Sequence, residues 1–412
     1  MGCYSFLTSR RFPARAAVLW IPALALSASL AHGETSPLSI HPEGFGVEVS
    51  GYNTRERAMG EAGMASVNRI GPSLNNASRT AFNEKTSFSA TFDTDVDWLQ
   101  DDATSNRSTS FLIPDIALNF QTRWPVNVGL FYRQRFARNF SFTPAVPADP
   151  DAVQSFTTEG GIYELGGTLA YAPTPYLALS LGYHFLIGRE RSIASTVFSQ
   201  NSSNPDLFNG QNLTGDTLST RSNGAYPSAS VTFRKKTFSL AAAGTMATTL
   251  DRILTRSITN LASDEKSTDT RDMPWTVQVG AAYKPKQNQT LALDYAYEAW
   301  DNAYSSLLNP AFHLGAGYEF QGNGSPYEPY FRKVAYRGGL GYERVYLGET
   351  DLYFVTLGTG LPLGRRGNLL DVALKYGHRG SLENSLWTED FFKVSVTLTG
   401  VSVWGQPVRK RR

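Results

Sequence analysis

Cysteine is almost missing from this chain: there is one, Cys3, among 412 residues. It lies ahead of an apolar stretch that reads as a leader, so the processed protein would hold none. That excludes disulfides, thiolate metal sites and a cysteine nucleophile. Long apolar runs are also lacking. The longest, AAVLWIPALALSASLA at 16–31, has 16 residues, short of the roughly 20 that a transmembrane helix needs. No later stretch approaches that length. Histidine is scarce, with five residues scattered along the chain, which argues against a histidine-rich metal centre. Neither sign of charge is in excess, with 38 basic residues against 36 acidic ones. Nothing in that balance suggests nucleic-acid binding.

The first 33 residues read as a secretory signal peptide. Arg10, Arg11 and Arg15 form a basic start, 16–31 is the apolar centre, and Ala31 and Gly33 are the small residues of a cleavage site before Glu34. Removing this leader takes away three basic residues and no acidic one, which leaves a formal charge of −1. The rest of the chain is rich in Gly (36), Phe (24) and Tyr (20), a composition for many strands and turns.

From about residue 84 the apolar pattern has period two. Leu177, Leu179, Leu181, Tyr183 and Phe185 alternate with Ala178, Ser180, Gly182 and His184; Leu370, Val372, Leu374 and Tyr376 alternate with Asp371, Ala373 and Lys375. Runs at 275–283, 291–298 and 392–399 repeat this. One face is bulky and apolar, the other small and polar. Each run is long enough for a tilted strand crossing a bilayer, roughly 9–11 residues. Fourteen such strands are expected, near 84–97, 110–121, 126–137, 161–172, 175–187, 225–234, 237–247, 274–284, 289–300, 310–320, 332–345, 351–362, 368–378 and 389–400. Short turns (122–127, 172–175, 234–236, 284–289, 364–368) alternate with long polar segments at about 138–160, 188–224 and 248–273. That asymmetry predicts an all-β fold: a transmembrane antiparallel barrel of about 14 strands in a bacterial outer membrane, short turns towards the periplasm. Leu370, Val372, Leu374 and Tyr376 should face lipid, and Asp371 and Lys375 the lumen. Tyr171, Tyr176, Trp275 and Tyr283 suit interfacial girdles. The expected organisation is a signal peptide at 1–33, a hatch or plug at 34–83, the barrel at 84–400 and a periplasmic tail at 401–412.

The segment before the barrel alternates poorly. It contains Arg57-Ala58-Met59-Gly60, Ala62-Gly63-Met64-Ala65 and Asn75-Asn76-Ala77-Ser78. These resemble the Gly/Ala/Met-rich hatch and the Asn-Pro-Ala element of the long-chain fatty-acid transporter family (FadL/TodX-like), although the proline is missing here. Residues 357–400 are similar to the last three strands of such barrels. The resemblance implies a plugged barrel that takes up hydrophobic molecules, fatty acids or aromatic hydrocarbons, passively. Substrate would enter an apolar external groove, and a hatch rearrangement would open a path, in some members sideways through a kink in the wall. Arg57, Met59, Gly60, Gly63, Met64, Asn76 and Ala77 are then the hatch and path residues. A second reading is a FadL-like barrel of the PorV-like kind, a structural or secretion attachment component with a protein partner. Tyr327, Tyr330 and Phe331, in an expected periplasmic turn, would serve such docking.

Other constellations are weaker. Arg133 and Arg135 share the expected lumen face and could meet a substrate carboxylate, or lumen acids such as Asp294 or Glu298, or the plug. Asp93, Asp95 and Asp97 alternate in DTDVDWLQDD, but the glycine of a calcium loop is absent, so a solvated strand end and loop is expected. Ser180 and His184 lie roughly 13 Å apart along one strand, too far for a nucleophile and its base. GTGLPLG at 358–364 belongs to a strand and its turn rather than to a phosphate loop. Neither a cofactor, a metal nor an enzymatic activity is expected.

Overall fold

The computed structural model describes residues 36–402 apart from 40, 42–43, 68–70, 84, 102–104, 123, 144–152, 198–212, 260–263, 304, 306, 323–326, 349, 365–366 and 383–386. The expected signal peptide at 1–33 and nearly all of the expected C-terminal tail lie outside these residues. Fourteen strands form the wall: β1 (Thr86–Asp101), β2 (Ser105–Leu112 and Asp115–Gln121), β3 (Val126–Ala137), β4 (Val153–Thr174), β5 (Leu177–Val197), β6 (Leu213–Arg234), β7 (Phe238–Thr245 and Thr248–Ile258), β8 (Glu265–Met273 and Thr276–Tyr283), β9 (Gln289–Glu298), β10 (Ala311–Phe320), β11 (Ala335–Arg344), β12 (Asp351–Leu363), β13 (Asn368–Ser381) and β14 (Trp387–Ser402). All neighbours are antiparallel, and β14 pairs with β1 from Trp387↔Asp101 to Ser402↔Thr86, which closes the barrel.

All fourteen expected strands are present, and their faces alternate as the sequence requires. On β5, Leu181 is 69% exposed while Ala178 and His184 are buried. On β13, Leu374 and Tyr376 point outward, Asp371 and Ala373 inward. Tyr171, Tyr176, Trp275 and Tyr283 all stand on the outer face. Pairing of β14 with β1 leaves no free edge at the two ends of the sheet, which is the condition for strands in hydrocarbon.

Three features differ from expectation. The polar segments 188–224 and 248–273 are largely ladder, because β5 runs on to Val197, β6 begins at Leu213, and Thr248–Ile258 pairs with Glu265–Met273. Their sequences lack an apolar face, yet a ladder beyond the apolar belt needs only its hydrogen bonds and β-prone residues. Second, β2 and β8 are interrupted beside Pro114 and Pro274, which cannot donate to a ladder. Third, Asp93, Asp95 and Asp97 are buried on the inner face of β1 rather than solvated. Period two had placed them on one side; which side depends on the closed wall.

Candidate functional site

The described residues between 44 and 83 lie against the inner face of the wall. The one α-helix among them, α1 (Thr54–Arg57), starts in a capping box: Asn53 accepts from the Glu56 amide (3.0 Å), and the Asn53 amide donates to the Glu56 carboxylate (3.3 Å). The helix is all polar and all buried, so each side chain must find a partner. Arg57 donates to the Tyr52 and Ser50 carbonyls (2.7 and 2.9 Å) and to Asp93 on β1. Arg55 pairs with Glu319 on β10 (2.9 Å); Arg337 on β11 meets the same Glu319 (2.7 Å) and Asp371 on β13 (2.6 Å).

Beyond α1 the backbone itself approaches the wall. Gly60 has φ +68°, and a Cβ there would strike the carbonyls of Ala316 and Leu340; a Cβ on Gly317 or Gly339 would strike the backbone of Met59 and Gly60. Glycines on both sides make this approach possible. The Gly60 amide donates to Thr356 (2.8 Å), and the Gly63 and Met64 amides both donate to Asp294 (2.9 and 2.8 Å). Met59 and Met64 are fully buried; Met59 packs with Ala62 and Ala292, Met64 with Ala65, Ala241 and Ala282. Glu61 is the sole non-glycine with positive φ (57°) among the described residues. Burial works against its charge, but the Lys375 ammonium, 3.0 Å away, holds the carboxyl down at about 2.

The two hatch-like motifs meet. Asn76 is fully buried and donates to the Met64 carbonyl (2.9 Å) and to Thr232 on β6 (2.8 Å), while Ser78 donates to Asn76 (2.7 Å). Arg79 donates to the Gly63 carbonyl (2.9 Å). Ala77 opens a short 3-10 turn, Ala77–Phe82, and borders a cavity of about 160 Å³. Arg133 and Arg135 border the same cavity from β3; Met59, Gly60 and Met64 are not among its lining and face β7–β12 instead. Arg133 pairs with Glu164 (2.8 Å), and Arg135 reaches Glu298 and Glu48, each at 3.5 Å. Of the two lumen acids expected to meet them, Glu298 does so, whereas Asp294 is spent on amides.

His184 is an exchange of partners that spacing could not reveal. It does not meet Ser180, which bonds Ser230 (2.6 Å). It bridges Glu164 on β4 (2.7 Å) and Ser228 on β6 (2.6 Å). The order Ser228–His184–Glu164 is that of a relay, but Ser228 sits between ladder partners Gly182 and Thr245. Strand amides are spent on the ladder, so they offer no oxyanion donors, and Arg133 already claims the Glu164 charge.

At the end away from the short turns, the lumen is apolar. Phe45 and Val47 of the N-terminal segment pack with Phe136, Ile162, Leu186, Leu250, Trp300 and Tyr346. Trp300 stacks on Tyr346 at 4.4 Å, and the Tyr346 hydroxyl donates to the Gly46 carbonyl (2.7 Å). Nothing in the linear pattern marked this layer, since its members come from stretches far apart in the chain.

The wall is incomplete beside it. The β2–β3 ladder runs from Gln121↔Asn127 to Asp115↔Arg133 and then stops; the first piece of β2 pairs with β1 alone among the described residues. The free edge of β3 is taken by the two-residue strand Val47–Glu48, with Val47↔Ala137 and Glu48↔Phe136. Val49 then packs between Leu112 and Ala137. β3 is bulged between Gln134 and Phe136, at Arg135.

The closed fourteen-strand barrel is of the FadL/TodX-like type. A Pseudomonas aeruginosa FadL homologue shares the fold at TM-score 0.62 and 13% identity, over 86% of this chain and 99% of that one. The Pseudomonas putida toluene transporter TodX matches at 0.57 and 12%, over 85% and 98%, and the CymD monoaromatic hydrocarbon channel at 0.51 and 11%, over 86% and 100%. At sequence level the chain belongs to the BamG family, whose profile matches residues 14–409. No curated protein sequence matches it.

Proposed function

We propose that this protein is a non-enzymatic outer-membrane channel for passive uptake of a hydrophobic small molecule, with residues 34–83 as its hatch. The observation that carries the reading is the unpaired stretch of wall between β2 and β3, sealed by Val47–Val49. Phe45 and Val47 belong to the apolar layer and Val49 to the seal, while Phe136 and Ala137 join the same two clusters on the wall side. An apolar route therefore runs from the layer to the gap without crossing the charged cavity. Withdrawing 45–49 would free a sheet edge that opens sideways into lipid. Fold neighbours named as a toluene transporter and a monoaromatic hydrocarbon channel support a cargo of hydrocarbon or fatty-acid type.

The test is a reversible lock. A V49C/L112C pair, in a chain whose one native cysteine is Cys3, should abolish uptake of a hydrophobic probe into proteoliposomes when oxidised and restore it on reduction. Unchanged uptake in the locked form would remove the lateral route. Tyr327 (97% exposed) and Phe331 (76%) favour a second reading, attachment of a protein partner. That reading expects Y327A/F331A to lose a co-purifying partner with uptake unchanged.

A further inference from the structure

Glu61 of the N-terminal segment, His313 of β10 and Glu343 of β11 each offer a ligand atom, all within 4.8 Å of one another. His313 Nε2 lies 3.2 Å from the Glu61 carbonyl. A carbonyl only accepts, so Nε2 carries the proton. In the neutral ring, Nδ1 is then a lone pair, and it faces Glu61 Oε2 at 3.9 Å. His313 is 8% exposed and Glu61 3%. Two acceptors buried face to face repel unless a second proton on the ring or a metal ion lies between them, and the nearby Glu343 carboxylate supplies the further ligand that a metal ion needs. Glu343 points to the same place and has no hydrogen bond or ion pair of its own among the described residues. Lys375 holds the other oxygen, Glu61 Oε1, at 3.0 Å, and so orients the carboxylate as an outer-shell group does.

We propose that Glu61 Oε2, His313 Nδ1 and the Glu343 carboxylate bind one divalent transition-metal ion, with water completing the coordination. One imidazole and two carboxylates suit zinc and its neighbours better than calcium or magnesium, which take oxygen ligands alone. The ion would bridge the N-terminal segment to two wall strands. Binding stands independently of the channel reading; the consequence that the ion latches the hatch rests on it.

The test uses the full-length protein in detergent, free of histidine tag. Zn²⁺ titration by calorimetry, with metal analysis after dialysis, should give one ion per chain. H313Q and E343Q should each weaken binding at least roughly tenfold, the loss typical even of outer-shell changes. H378Q, at an exposed histidine paired with Asp390, should leave binding unchanged. X-ray absorption on the wild-type zinc form should show a single imidazole, and this reading does not depend on the variants folding. No binding, binding indifferent to H313Q and E343Q, or two or more imidazoles at the zinc would overturn the site. If zinc binds as described yet uptake is equal with and without it, the site stands and the latch falls.

Discussion

At one level of the lumen Phe45, Trp300 and Tyr346 meet through rings; at another Arg55, Glu319 and Arg337 meet through charges. The same N-terminal segment is held at both. The apolar contact is non-directional and can accept another apolar surface in place of Phe45. The charged contact is directional, and breaking it strands buried charge. On the channel reading proposed above, a segment fastened in these two ways would yield at its apolar end to a hydrophobic cargo while its charged end stays attached.

The sharpest way to break the comparison is to cut each end separately. Trp300→Ala should cost about 3–5 kcal/mol, as large aromatic truncations in packed cores do. Glu319→Ala should cost a similar ~3–5 kcal/mol by leaving the buried Arg55 without a carboxylate and Arg337 with Asp371 alone. Thermal unfolding in detergent reads the size. Limited proteolysis reads the place: Trp300→Ala should expose 36–49, Glu319→Ala should expose 53–66. If both variants expose the same stretch, the two levels act as one. Gly317→Ala comes next, at about 1–3 kcal/mol, because its Cβ meets the Met59 backbone, which cannot turn aside as a side chain can.

The smallest effect is titration. The Glu61 carboxyl is lowered from 4.5 to about 2. Its contribution is present above pH 4.5 and is lost as pH falls towards 2. Hydrogen exchange should therefore loosen the stretch around Glu61 on the acid side before the Phe45–Val47 contact. Loosening of both together would refute this assignment.

Period-two alternation was enough to place all fourteen strands and to say that Asp371 and Lys375 share a face opposite Leu374 and Tyr376. It succeeds because a strand's two sides meet different solvents along its whole length, so the requirement is written residue by residue. The segment inside the wall was legible only as composition: small residues around Met59 and Met64, and an Asn-Asn-Ala-Ser element after them. That Gly60 serves close backbone approach to Gly317 and Gly339 was not legible, because those partners lie on wall strands far along the chain. Arg133 and Arg135 were legible as lumen charges, but Glu164 as their shared partner was not.

What the sequence alone determined is local and periodic: strand number, facing, short turns, and a segment unsuited to the wall. Tertiary structure decided everything that depends on closure. Rolling the sheet brings β14 to β1, sets Asp93 beside Arg57, His184 between Glu164 and Ser228, and Glu61 beside His313 and Glu343. It also leaves the edge of β3 for Val47–Glu48 to fill. Such pairs join residues up to hundreds of positions apart, and no local propensity encodes a partner that only the barrel's curvature brings within reach.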